Sequence, residues 1–306
     1  GPSVENPYFN TVAKHTYSVG NDFNHSSTLT KNYVKRVEKQ WIEEYKIDGF
    51  RWDLTKGFTQ NSSASDYSGT DGYQADRVAI LKDYADYSWG LDPTHYAIFE
   101  HLGSDSEEQE WANYRINETP SKGVMMWGEL HEAYKQLALG YSTNADITRM
   151  GHVSRGFSAK RLLGYPESHD KDRLMYEAVA FGNGGGTAPP LNNLNNAVPR
   201  MSAIGALSIL VPGPKMIWQF GELGYDKSIN LGCRICNKPI LWNYYLDNNR
   251  RQLYDVYKAT LKLRTSNEVF KNGTFQYSLS GTLKKMTYLH SSMNVVIAGN
   301  FSVQNT

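Results

Sequence analysis

The stretch IDGFRWDLTKGFTQ, residues 47–60, sets an Arg and an Asp into what otherwise reads as a β-strand. Side chains alternate between the faces of a strand, so Phe50, Trp52 and Leu54 share one face and Gly49, Arg51 and Asp53 share the other. A charged pair on a strand face is costly unless something satisfies or uses it. The simplest reading is a structural salt bridge, but two further carboxylates bear on it. Glu100 follows the apolar run YAIF, and Asp170 follows His169 in PESHD. The three carboxylates succeed one another at intervals of 47 and 70 residues. If they converge, they make the arrangement that glycoside hydrolysis requires. One carboxylate attacks the anomeric carbon, and a second protonates the leaving oxygen and later takes a proton from water. In retaining enzymes the two stand about 5–5.5 Å apart. Arg51 beside Asp53 favours an ionised nucleophile, and the apolar approach to Glu100 favours a protonated acid.

These residues need elements that bring them to one place. TKNYVKRVEKQWIEEYK puts Val34, Val37, Trp41 and Tyr45 at helical spacing, with Ser/Thr ahead as caps, and the strand at 47–53 follows directly. A Ser/Gly/Asp loop over 59–72 leads to a second helix, ADRVAILKDYADYSW, then the short run HYAIFE and an acidic loop, GSDSEEQE. GVMMWGEL and KRLLGYPESHD read as strands around the helical LHEAYKQLALGY. VPRMSAIGALSILV reads as a buried helix and PKMIWQF as a strand. NRRQLYDVYKATLKLRTS reads as an amphipathic helix with Leu253, Val256, Tyr257 and Leu261 inward. From about Phe270 the rhythm changes to strands parted by Gly/Ser turns. Alternating strands and helices imply parallel βαβ units, hence a doubly wound sheet or part of a (β/α)8 barrel. Arg51/Asp53, Glu100 and His169/Asp170 each fall at the C-terminal end of an expected strand, where a barrel builds its active-site face. No glycine-rich phosphate fingerprint follows a strand. The expected fold is therefore α/β: the C-terminal part of a (β/α)8 TIM barrel, about strands 4–8, over 1–269, followed by the start of an antiparallel all-β domain over 270–306.

Composition narrows the partners. The 306 residues carry 32 basic and 31 acidic side chains, for a formal charge of +1, which gives no footprint for nucleic acid or an anionic membrane. No apolar run approaches the ~20 residues of a membrane span, and no signal peptide is visible. The 21 Tyr and 7 Trp supply flat rings; most fill cores, but the excess also suits stacking on sugars. Cys233 and Cys236, in CRIC, have no second pair to complete a zinc site and read as a loop thiol pair or a short local disulfide.

At its three carboxylates the chain resembles glycoside hydrolase family 13, the α-amylase family. That family's nucleophile strand reads G-F-R-x-D with a Lys three residues on, as in GFRWDLTK; its acid/base Glu ends the next strand, as in IFEHL; its stabilising Asp follows a His, as in PESHD. The flanking NPYFN, DFNH, KGFTQ and MIWQFGELGYD are similar to the bacterial α-amylase-like branch, so the resemblance runs over about residues 4–306. It implies Asp53 as nucleophile, Glu100 as general acid/base and Asp170 as the stabiliser binding sugar hydroxyls. It implies Arg51 orienting Asp53, His169 contacting the sugar, and Lys56 and Gly57 approaching it on the leaving-group side. Arg173, just past HDKD, either contacts substrate or faces solvent at a helix start.

The resemblance is incomplete. The family's third-strand D-x-x-x-N-H motif is absent; NDFNH at 21–25 imitates it only 31 residues before Asp53 and reads as loop, so the first barrel strands are expected to be missing. No metal ligand and no cofactor are assigned; the resemblance leaves a Ca2+ ion to the full-length parent, with Gly57 standing where the family has a His. Leu102 stands where the family often has Trp. HEAYK at 131 lacks the second His of a zinc site, so Glu129, His131 and Glu132 read as helix surface; GNGGGT at 182 reads as a loop; SDSEEQE reads as a solvated charge run. The expected function is a retaining hydrolase of α-1,4-glucans. The alternatives are an α-glucan transglycosylase or branching enzyme, or, for this stretch alone, a non-catalytic carbohydrate-binding relative. A half barrel leaves sheet edges open, so little activity is expected unless the other half is supplied in trans or by an oligomer that completes the barrel. The resemblance implies a parent that is extracellular, on the cell surface or periplasmic.

Overall fold

The computed structural model describes residues 1–17, 20–62, 66–185 and 189–302. In chain order the elements are α1 (Thr28–Glu43), β1 (Gly49–Trp52), α2 (Tyr67–Asp71), α3 (Ala75–Leu91), β2 (Tyr96–Phe99), α4 (Asp105–Ala112), β3 (Met125–Glu129), α5 (His131–Leu139) and β4 (Leu162–Tyr165). Then follow α6 (Leu174–Phe181), α7 (Leu194–Ile209), α8 (Asn248–Ser266), α9 (Val269–Asn272), β5 (Thr274–Ser278), β6 (Leu283–Leu289) and β7 (Val295–Asn300). One sheet has the order β1-β2-β3-β4, with β1 pairing β2 and β2 pairing β3 in parallel; the other is the antiparallel β5-β6-β7. Parallel strands need crossovers, and α3 supplies the one between β1 and β2.

Contacts divide the chain into two compact units, 1–127 with 155–162, and 128–154 with 163–306. In the first, α3 lays Val78, Leu81, Ala85 and Trp89 on Ala97, Phe99 and Met126 of the sheet, with Trp111 of α4 closing the core. Gly49 is required where β1 meets β2: a Cβ there would stand 2.6 Å from the Tyr96 carbonyl oxygen. In the second, α5, α6 and α7 share a core with Met286, Tyr288 and Phe301 of the antiparallel segment.

Several local expectations are corrected. The acidic run 104–110 is no solvated loop. It opens α4, and Glu107 and Glu108 are fully buried, because Arg77 and His101 meet Glu107 while Arg155 meets Glu108. His131 is buried rather than on the helix surface, its Nε2 bonded to the Asp172 carbonyl at 2.9 Å. On α1 the buried residues are Thr30, Glu38 and Ile42, while Trp41 is exposed and Tyr45 lies past the helix end. On α8, Leu253 is buried, but Val256 and Leu261 are exposed. PKMIWQF contributes a single parallel bridge, Gly164 with Lys215, rather than a full strand. GNGGGT lies partly outside the described residues.

Candidate active site

The first unit gathers Arg51, Asp53, Glu100, Lys56 and Gly57. Arg51 lies in β1, and Asp53 follows that strand's last residue. Leu54 then takes a left-handed backbone (φ 44°), which turns the chain sharply. Glu100 follows β2, and two residues on Leu102 is also left-handed, at φ 52°. Unfavourable backbone of this kind clusters where surroundings hold a functional group in place.

The turn after β1 holds Glu100. The Leu54 N–H donates to Glu100 Oε2 at 2.7 Å, and the N–H and hydroxyl of Thr55 both donate to the Glu100 carbonyl at 2.9 Å. Arg51 spans the two carboxylates, Nη1 in contact with Asp53 Oδ1 and Nη2 3.4 Å from Glu100 Oε2. Its guanidinium lies 4.9 Å from the Trp127 ring centroid, a contact that fixes its plane. The carboxylates differ in access: the Asp53 side chain is 73% exposed and that of Glu100 15%.

Lys56 is buried and turned to Asp71 Oδ1 at 2.9 Å and the Tyr17 hydroxyl at 3.1 Å. Burial opposes its charge, but the hydrogen bonds to Asp71 and Tyr17 outweigh it and raise the ammonium above the ordinary lysine range. A Cβ at Gly57 would lie 3.0 Å from His15 Nε2, so a side chain there would need the His15 ring to shift by a few tenths of an ångström. The calcium that the resemblance allows needs an Asn from an absent motif and a carbonyl where Gly57 stands. Among the described residues no three His, Cys, Asp or Glu side chains converge as metal ligands.

The second unit holds His169, Asp170 and Arg173, in the turn after β4. Ser168 Oγ accepts the Asp170 N–H at 3.1 Å, and His169 Nε2 lies 3.3 Å from Asp170 Oδ2. The His169 ring stands 5.7 Å from that of Trp218. Arg173 sits at the N-cap of α6 but is buried, not solvent-facing. It donates through Nη2 to the Gln219 carbonyl and stacks 4.9 Å from the Tyr225 ring centroid.

Four participants escaped the sequence reading: Trp127, Glu167, Trp218 and Arg234. Glu167 Oε1 accepts the Leu174 N–H at 2.5 Å, which caps α6, and Arg234 Nη2 donates to the Asp170 carbonyl at 2.8 Å. Glu167 had a local signal, a carboxylate three residues before Asp170 in PESHD. The others are brought in by tertiary folding and had none.

No protein-family model and no curated protein matches this sequence. Solved structures do. The chain is similar to the cyclic alpha-maltosyl-(1→6)-maltose hydrolase of Arthrobacter globiformis (TM-score 0.60, 14% identity, 90% of this chain and 53% of that one). It is similar to the maltogenic amylase of S. marinus (0.60, 18%, 92% and 35%) and to the debranching enzyme of Nostoc punctiforme (0.60, 14%, 92% and 52%). The chain thus spans about half the length, or less, of these structures. At such identities the likeness is one of fold: the C-terminal part of a (β/α)8 barrel, followed by the start of an antiparallel β domain.

Proposed function

We propose that the protein is a retaining glycosidase of α-1,4-glucans, with Asp53 as nucleophile and Glu100 as general acid/base. The observation that carries this reading is the shared clamp: Arg51 touches Asp53 and reaches Glu100, while the backbone after Asp53 donates to Glu100. An isolated structural salt bridge would not need the second carboxylate. In the first step Asp53 attacks the anomeric carbon as Glu100 passes its proton to the departing glycosidic oxygen. In the second, Glu100 takes a proton from water, which opens the glycosyl ester and frees Asp53. The resemblance reads Asp170 and His169, in the second unit, as sugar-binding residues. The names of two of the similar structures, a cyclic alpha-maltosyl-(1→6)-maltose hydrolase and a maltogenic amylase, support the α-glucan class.

The test is the whole protein on maltoheptaose, with new reducing ends counted and the product anomer read by NMR. Asp53→Asn and Glu100→Gln are each expected to slow turnover by roughly 10²–10⁴-fold. A 2-fluoro glycosyl fluoride is expected to label the peptide carrying Asp53. Label on another carboxylate, or full turnover in Asp53→Asn, overturns the assignment.

A further inference from the structure

Beside His169 the second unit contains a cavity of about 190 Å³. Lys171, Arg173, Lys227, Arg234 and Lys238 all line it, and among the described residues of its wall there is no Asp or Glu. Five cations around one small cavity repel one another, and the effect grows as water is excluded. Carboxylates answer only part of this charge. Lys171 lies 3.3 Å from Glu129 and Lys227 3.1 Å from Asp226. Lys238 instead donates to the carbonyls of Cys233 and Cys236 at 2.7 and 2.8 Å, and Arg234 to the carbonyl of Asp170. Carbonyl dipoles fix those two side chains without cancelling their charge. Arg173 is buried, and its Nε makes no hydrogen bond among the described residues, the Glu167 oxygen lying 3.7 Å away. The wall is built rather than loose, since the Cys233–Cys236 disulfide closes the segment whose carbonyls hold Lys238.

A neutral sugar hydroxyl does not need such a field, whereas a compact dianion with several acceptor oxygens does. At about 30 Å³ per water, the volume admits a phosphate group together with some of its own waters. We propose that this cavity binds a phosphate dianion, carried as a monoester on the glucan whose neighbouring sugar meets His169 and Asp170. The placement of that sugar rests on the glycosidase reading; the anion site itself does not.

Isothermal titration of the 306-residue chain with sodium phosphate, glucose 6-phosphate and glucose, against sodium chloride at matched ionic strength, tests it. Saturable binding of both phosphates, tighter for glucose 6-phosphate and absent for glucose, is the expected result. Arg234→Gln and Lys238→Gln should each weaken it about tenfold. Because Lys238 also braces its loop, Lys227→Gln serves as the variant that leaves the bracing carbonyls alone and should weaken binding in the same direction. Equal binding of the two phosphates overturns the sugar-borne source and leaves a free-anion site. No saturable response to either phosphate, or binding unmoved by all three variants, overturns the proposal. Saturable phosphate binding with full glucan turnover in Asp53→Asn would sink the glycosidase reading and leave the anion site standing.

Discussion

The backbone N–H of Leu54 donates to Glu100 Oε2 at 2.7 Å, so the carboxylate that ends β2 is held by the residue directly after Asp53. The two proposed catalytic groups are therefore not independent. Moving the turn after β1 moves Asp53 and releases Glu100 together, and Arg51 doubles the link through its two guanidinium nitrogens. A planar fork suits this double contact, and a lysine ammonium, a single point charge, does not. Arg51→Lys should therefore behave nearly as badly as Arg51→Ala, with kcat/KM on maltoheptaose down roughly 10²–10³-fold in both. Wild-type kcat/KM in Arg51→Lys would show that charge alone suffices and that the clamp is irrelevant.

Behind this pair lies a buried ionic network. Arg77 and Glu107 are both fully buried, with Arg77 Nη2 2.6 Å from Glu107 Oε2 and His101 Nε2 2.7 Å from the same oxygen. Arg77 also donates to the carbonyls of Lys56 and Thr70, tying the α2 region to the turn after β1. The hydrogen bonds from His101 and Arg77 outweigh burial and hold the Glu107 carboxyl below the usual range. Removing one member strands a buried charge. Glu107→Ala should lose about 3–5 kcal/mol in denaturant unfolding, whereas surface Glu43→Ala should lose under about 1 kcal/mol. Comparable losses in the two would show that the network contributes nothing special.

That network also explains what could be read in the sequence. The strands carrying Arg51, Glu100 and the PESHD turn stood out, because short apolar runs between amphipathic helices leave a periodic signal. SDSEEQE leaves the opposite signal. Four acids in seven residues look solvated, and only Arg77, 30 positions before Glu107, and Arg155, 47 after Glu108, make their burial tolerable. Such partners are chosen by the fold, and no local pattern records them. His131 is buried for the same reason, with the Asp172 carbonyl as its partner, and so is Arg173, whose solvent-facing alternative fails as its Nη2 meets the Gln219 carbonyl. The turn geometry at Leu54 was invisible because leucine is not a residue expected at positive φ.

Lys284, the second residue of β6, has no exposed surface, and its Nζ donates to the carbonyls of Ala145 at 2.5 Å and Leu279 at 2.7 Å. It thus pins the strand to the segment before residue 148. Burial pushes its ammonium below the ordinary lysine range, yet the carbonyls give it partners that methionine would not. Lys284→Met fills the volume and leaves those carbonyls unpaired, so a loss of about 1–3 kcal/mol is expected. A melting temperature equal to the wild type would mean that packing alone holds β6.

Glu38 on α1 gives the fold a pH dependence of its own. It is buried, neither carboxylate oxygen has a hydrogen-bond partner among the described residues, and burial, opposed only in part by Lys35, pushes its carboxyl up to about 8. In the unfolded chain the same group releases its proton near the ordinary 4.5. Between those values the folded state keeps a proton that the unfolded state has given up, so stability falls as pH rises from about 4.5 to 8 and stays lowered above that. One pKa unit is about 1.4 kcal/mol, so at pH 7 the penalty is at most about 3.5 kcal/mol. Glu38→Gln keeps the shape and cannot ionise. Urea midpoints measured from pH 5 to 8 should therefore fall for the wild type and change less for Glu38→Gln, with the variant the more stable of the two at pH 8. Parallel profiles for the two proteins would place the Glu38 carboxyl in water after all.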